Sequence, residues 1–145
     1  NGKSSGEKNY SDGDTPYVSS GDSTNSIVAI VSAPTKEVFE EGAITITAFG
    51  QAALQPWPFV ARGNGGSSVR VLTPKFNMTA RELVWFAAQI NLQKWRYFYA
   101  RMAIKGRLED EHFKVSSPKT RIKKEIDLRK ALGQLRDYIE EHTQI

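Results

Sequence analysis

The sequence predicts an α/β (α+β) fold: a mixed, partly antiparallel sheet with one packed helix, followed by a long C-terminal helix. Three observations lead there. β-Branched and alternating runs fill residues 26–72, a capped helical pattern opens at Thr79, and apolar residues recur at helical spacing from Ile122 to Ile139. A chain of 145 residues is enough for one domain with its own core and too short for two comfortable ones.

Residues 1–26, NGKSSGEKNYSDGDTPYVSSGDSTNS, are rich in Ser, Gly, Asp and Asn. They predict loop with one short strand over 16–19, anchored by Tyr10, Tyr17 and Val18. SIVAIVS, residues 26–32, is a continuous β-branched run suited to a buried strand, and Ala33-Pro34 ends it. Ile44 and Ile46 point one way and Thr45 and Thr47 the other, which predicts a half-buried strand ending at Gly50. In QAALQPWPF two prolines flank Trp57. Proline cannot donate to a sheet ladder, so this stretch reads as a bend that places an indole. Residues 59–61 and 69–72 read as two strands joined by RGNGGSS, a flexible glycine-rich connector.

Thr79-Ala80-Arg81-Glu82 is a capping box, with the N-cap hydroxyl and the Glu carboxylate three residues later satisfying each other's backbone N–H groups. Leu83, Phe86, Ala87 and Ile90 then form an apolar face, and the helix runs to about Leu92. A second helix spans about 120–141. Ile122, Ile126, Leu128, Leu132, Leu135 and Ile139 make its apolar face, while Lys123, Lys124, Glu125, Arg129 and Lys130 stay wet. It reads either as a packing or dimerising arm or as a terminal helix folded back on the core. Residues 1–112 are therefore one domain, and 113–145 a linker and long helix.

An apolar share of 39% and a charged share of 25% fit an ordinary globular chain. No run approaches the roughly 18 apolar residues that cross a bilayer, and no signal-peptide pattern is present, so no membrane partner is expected. The chain opens on Asn1 rather than Met, which fits an excised domain or a lost leader. Cysteine is absent, which excludes disulfides and thiolate metal sites and fits a reducing compartment; the expected location is cytoplasmic.

The net charge of +4 is unevenly placed. Residues 1–80 hold 6 basic and 7 acidic side chains, net −1; residues 81–107 hold 6 basic and 1 acidic, net +5; residues 108–145 hold 8 of each, net 0. The excess centres on KWRYFYARMAIKGR, where Lys94, Arg96, Arg101, Lys105 and Arg107 interleave with Trp95, Tyr97, Phe98 and Tyr99. The pattern leaves helix and strand both open here. Such clustering marks a polyanion site, or else a solvated face whose Lys and Arg stems cover apolar surface. Trp95 and Phe98 are expected in the core, and Tyr97 and Tyr99 are expected to turn their hydroxyls toward a groove.

Catalytic signatures are scarce. His112 and His142 lie far apart, no G-x-S-x-G elbow occurs, and Gly63-Asn64-Gly65-Gly66 lacks the Gly-Lys-Ser/Thr ending of a phosphate loop. Asp12/Asp14, Glu40/Glu41 and Glu109-Asp110-Glu111 are carboxylate groupings of the kind a metal-dependent nuclease uses, although Asp12 and Asp14 sit in a glycine-flanked turn where Asp serves local hydrogen bonding. No catalytic residue, metal ligand or cofactor is predicted. What remains is a binding protein. Lys94, Arg96, Arg101, Lys105 and Arg107 would contact phosphates or bases. Arg62, Asn64 and Ser67 in the glycine-rich connector are candidates for base reading, as are Ser19, Ser20 and Asn25 near the first strand. A non-specific domain that meets RNA or an acidic protein is the other reading.

Four blocks, in order, extend this. TPYVSSGDSTNSIVAIV resembles the opening of a target recognition domain from the specificity (S) subunits of type I restriction-modification enzymes. GAITITAFGQAALQPWPFVAR is similar to the family's next strand, glycine and aromatic-proline bend. VRVLTPK with the helix ELVWFAAQI is similar to the strand and helix that follow, and KWRYFYARMAIKGRL to the basic closing segment. The resemblance covers about Gly13 to Leu108. KVSSPK stands where the family shows I-P-[LV]-P, and the family's strand and helix ahead of Gly2-Lys3 have no counterpart here. The resemblance implies a non-catalytic domain that reads one half of a split duplex DNA site. It further implies a long helix that pairs with a second recognition domain, and partner methyltransferase and nuclease subunits, or fused domains, that carry the chemistry.

Overall fold

The computed structural model describes residues 1–111; the helix expected over 120–141 lies outside the described residues. Among the described residues the strands are β1 (Asp12–Val18), β2 (Ile27–Val31), β3 (Val38–Phe39), β4 (Ala43–Ile46), β5 (Ala52–Gln55), β6 (Phe59–Ala61) and β7 (Arg70–Leu72). Two helices follow, α1 (Ala80–Leu92) and the short α2 (Lys105–Glu109). The strands form two sheets rather than one. The first has the order β2-β1-β6-β3, with β1 and β6 parallel and the other pairs antiparallel. The second, β5-β4-β7, is antiparallel throughout. The class is α+β, with one mixed sheet, one antiparallel sheet and a packed helix.

Several strand expectations change, the first in burial: residues 26–32 read as a buried strand, but β2 lies at the edge of its sheet with Val28 and Ile30 exposed. β1 begins at Asp12, well before Pro16, because Asp12 and Thr15 both oppose Val31 across a bulge. Gly13 lies in that bulge, where a Cβ would stand 2.3 Å from the Ser32 nitrogen, so only glycine admits the approach. β5 occupies residues that read as part of a bend; its two prolines lie just past Gln55, leaving the preceding residues free to pair with β4. β6 and β7 do not pair with each other. The glycine-rich connector carries the chain from one sheet to the other.

β4 is buried along its whole length, not half-buried. Ile44 and Ile46 face α1 in a core with Ala52, Leu83, Ala87 and Ile90. Ala43 faces the other way, with Val18, Phe59, Ala61 and Val69 between the two sheets. The antiparallel sheet is thus covered on both sides, so an alternating Ile/Thr pattern ends up wholly inside. Burying Thr45 is acceptable because its hydroxyl is paired: it accepts from Gln55 Nε2 at 2.9 Å and reaches the Ala53 carbonyl at 3.4 Å. A third cluster, Tyr17, Val31 and Val60, covers the far face of the mixed sheet.

α1 starts as its capping box predicts. The Thr79 hydroxyl accepts from the Glu82 N–H at 3.3 Å, and the Glu82 carboxylate accepts from the Thr79 N–H at 2.9 Å. Leu83, Ala87 and Ile90 are buried, with Phe86 packed beside them. The helix also closes the exposed edge of β5. The Asn91 carboxamide accepts from the Ala52 N–H at 2.7 Å and donates to the Ala52 carbonyl at 2.9 Å, so one side chain pairs as a neighbouring strand would. No helix of the described residues is long and apolar enough to cross a membrane.

Candidate nucleic-acid interface

The basic-aromatic segment is neither continued helix nor strand. α1 ends at Leu92, a single 3-10 turn covers Lys94–Arg96, and a tight turn follows over 98–101. That turn is closed by two backbone bonds, Phe98 N–H to the Arg101 carbonyl at 3.2 Å and Arg101 N–H to the Phe98 carbonyl at 2.7 Å, leaving Tyr99 and Ala100 at the tip. The Ala103 N–H then donates to the Ala48 carbonyl at 2.8 Å, strapping the segment to the turn between β4 and β5.

Tyr97 anchors it. Its ring is 6% exposed and lies on Gly50, where a Cβ would stand 2.5 Å from ring carbon Cδ2. Gly50 has φ +81°, so glycine is required there both for space and for backbone conformation. The Tyr97 hydroxyl donates to Glu111 Oε1 at 3.2 Å, and Arg96 pairs with Glu111 Oε2 at 2.5 Å. The core expectation is reversed for its neighbours: Trp95 is 78% exposed, Phe98 55% and Tyr99 87%. Of the four aromatics in this segment Tyr97 alone turns inward, joining Ala103 in the core. The hydroxyl expected to face a groove is turned to Glu111 instead.

Burial, and then the nearby Glu111 charge, raise the Tyr97 pKa, because both disfavour the phenolate. Burial raises that of Tyr17 as well. Both groups are neutral in either state below about pH 10, the ordinary tyrosine value. Above it the unfolded chain loses its phenolic protons first, so stability falls as pH rises. Urea unfolding between pH 8 and 11 should show this decline, and Tyr97→Phe should flatten part of it; a decline of equal slope in the variant would remove Tyr97 as a cause.

The other sequence candidates fall into two groups. Asn25 sits in a 3-10 turn, Thr24–Ser26, with three consecutive left-handed residues at φ 51°, 54° and 62°. Its Nδ2 donates to the Leu54 carbonyl at 3.3 Å, and its own carbonyl accepts from Gln55 Nε2 at 2.8 Å. Ser19 is buried, its N–H donating to the Ser26 carbonyl at 3.1 Å, and the Ser20 hydroxyl is enclosed. Lys94 pairs with Asp22 at 3.1 Å and donates to Gln51 at 3.0 Å, tying the basic segment to this loop. Asp22, Asn25, Gln51, Val84 and Asn91 border a groove of about 460 Å³ along the β5 edge.

The second group belongs to the β7 edge of the same sheet. Arg62 donates from Nε to the Asn64 carbonyl at 3.3 Å, and Ser67 closes a 3-10 turn, Gly65–Ser67. The connector is cross-braced by Val69 N–H to the Arg62 carbonyl at 2.8 Å and Gly63 N–H to the Ser4 carbonyl at 2.9 Å; Gly63 is needed for that close packing, Gly65 for its φ of +71°, and Gly66 faces open space. Lys105 pairs with Glu109 at 3.6 Å and borders a cleft of about 360 Å³ with Arg70, and Arg107 donates to the Met102 carbonyl at 2.8 Å. Arg101 stands on the exposed turn itself. Sequence reasoning missed Arg70, which read only as a strand residue, and Asn91, whose signal was a carboxamide beside the apolar face of α1.

Among the described residues, no three His, Cys, Asp or Glu side chains stand close enough to hold a metal ion. No protein-family profile, curated protein or solved structure matches the chain.

Proposed function

We propose that this domain binds duplex DNA and reads a specific sequence in it. On this reading it is the target recognition part of a restriction-modification enzyme and acts in the cytoplasm. Methyltransferase and nuclease partners carry the chemistry, and the segment beyond residue 112 pairs with a second recognition domain. The observation that carries the proposal is the segment 94–107. It holds five cations and no acid, and it exposes Trp95, Phe98, Tyr99 and Arg101 from a mount anchored by Tyr97. Net positive charge beside flat, solvent-facing rings suits phosphates and bases. Further support is the order of the four sequence blocks. Lys94 is in a surface ion pair worth little in water, so a phosphate can replace its Asp22 partner at small cost, whereas Arg96 is held by the largely buried Glu111.

The test is selection from a randomised duplex pool at two salt concentrations. An enriched motif of a few base pairs is expected. Arg101→Ala should weaken binding by about 1–3 kcal/mol if the guanidinium reads a base, or lower the salt slope by about 1 if it contacts a phosphate. Binding without any enriched motif would reduce the function to phosphate attraction, and divalent-metal-dependent cleavage lost on Asp12→Ala or Glu109→Ala would point to a nuclease instead.

A further inference from the structure

We infer that Tyr99, at the tip of the turn that Phe98 and Arg101 close, is a wedge that enters one base step of the bound duplex while Arg101 holds the flanking phosphate; the inference rests on the DNA reading above. The shape is the first argument. Tyr99 stands at the tip of a turn closed by two backbone bonds between Phe98 and Arg101, and at 87% it is the most exposed of the chain's large hydrophobic side chains among the described residues. The second argument is stiffness. Both ends of the turn are fixed within a few residues: Tyr97 is packed on Gly50 and bonded to Glu111, and Ala103 is bonded to the Ala48 carbonyl. A turn held this way needs little backbone ordering when its tip ring stacks, so the gain from stacking is not spent on ordering the loop.

Charge supplies the third argument and selects the occupant. No acid lies between Glu82 and Glu109. Lys94, Arg96, Lys105 and Arg107 each have a partner in the fold. Arg101, next to the tip, is hydrogen-bonded to described residues through its backbone alone. An apolar protein surface would leave that guanidinium without a partner, whereas a nucleic acid offers a base stack for the rings and a phosphate for the cation. Phe98 has no polar atom with which to read a base edge, so its ring serves stacking and not hydrogen-bonded readout, and Tyr99→Phe tests the same of Tyr99. Side chains that insert this way unstack the step and bend the duplex, and the most easily opened steps are TA and CA/TG.

The experiment uses the full chain and the duplex enriched from the random pool, with 2-aminopurine placed in turn at each position of the site. Saturating protein should raise the fluorescence at one step several-fold, and that step should be pyrimidine–purine. Tyr99→Phe should keep the rise. Tyr99→Ala should abolish it and weaken binding about tenfold, while a mismatch at that step should tighten wild-type binding and not that of Tyr99→Ala. The tip residue is almost wholly exposed, so both variants should unfold at the wild-type urea midpoint. Sequence-preferring binding with no bright position would overturn the wedge and leave the DNA reading intact. Absence of binding to any duplex would overturn both and hand the exposed rings to a protein partner.

Discussion

Tyr97→Ala is expected to lower the free energy of unfolding by about 3–5 kcal/mol, the range for truncating a buried aromatic residue. The ring fills the space over Gly50 in the same core as Ile46, Ala52 and Ile90, so removing it opens a cavity under the turn between β4 and β5. It also removes a hydrogen bond from Glu111, leaving that carboxylate with Arg96. The consequence for function is local. Without the anchor, the segment holding Trp95, Phe98, Tyr99 and Arg101 keeps the Ala103 strap, the Lys94 contacts and the Arg96–Glu111 pair but loses the ring that seats it. Urea denaturation measures the first effect, and amide exchange at Ala103 the second. Tyr97→Phe keeps the ring and should lose only about 1 kcal/mol. A midpoint for Tyr97→Ala within about 0.5 kcal/mol of wild type would mean that the segment does not depend on this anchor.

Gln55→Leu should be nearly as damaging, at about 2–4 kcal/mol, through a different mechanism. Gln55 is 1% exposed, and its Nε2 donates both to the Asn25 carbonyl and to the Thr45 hydroxyl. Leucine fills a similar volume but leaves the buried Thr45 hydroxyl and the part-buried Asn25 carbonyl without that donor. The loss is larger than the two bonds suggest because Thr24, Asn25 and Ser26 are all left-handed, at about 1–2 kcal/mol per residue for ordinary side chains. Gln55 is one of the contacts that hold them so. The variant should therefore unfold at lower urea, and its 22–26 loop should become protease-sensitive while α1 stays protected. Wild-type stability in Gln55→Leu would show that the loop is held by Asn25 and Ser26 alone.

Helix α1 was legible because its signals are local. The Thr79 and Glu82 pair and the spacing of Leu83, Ala87 and Ile90 act within a few residues, and the helix formed where they placed it. β2, β4, β6 and β7 were legible for the same reason, as runs of β-branched or alternating residues. β5 was hidden by the two prolines just after it, although Pro56 restricts only itself and Gln55, which it biases toward the extended backbone a strand needs. The candidate interface was legible as charge and aromatic content but not as geometry. The window 94–107 announced a basic-aromatic segment; it did not say which ring would turn inward.

By itself the sequence determined the α+β class, the capped helix, the absence of cysteine chemistry and the concentration of positive charge after α1. Each of these depends on residue types and on spacings shorter than one helix or strand. Only the tertiary structure decided that the strands divide between two sheets, that Thr45 and Gln55 are buried as partners, and that Tyr97 is core while Trp95, Phe98 and Tyr99 face solvent. The physical reason is common to all three. Burial belongs to a side chain only when some distant segment covers it, and Gly50, Glu111 and the Asn25 loop are separated along the chain from the residues whose positions they settle.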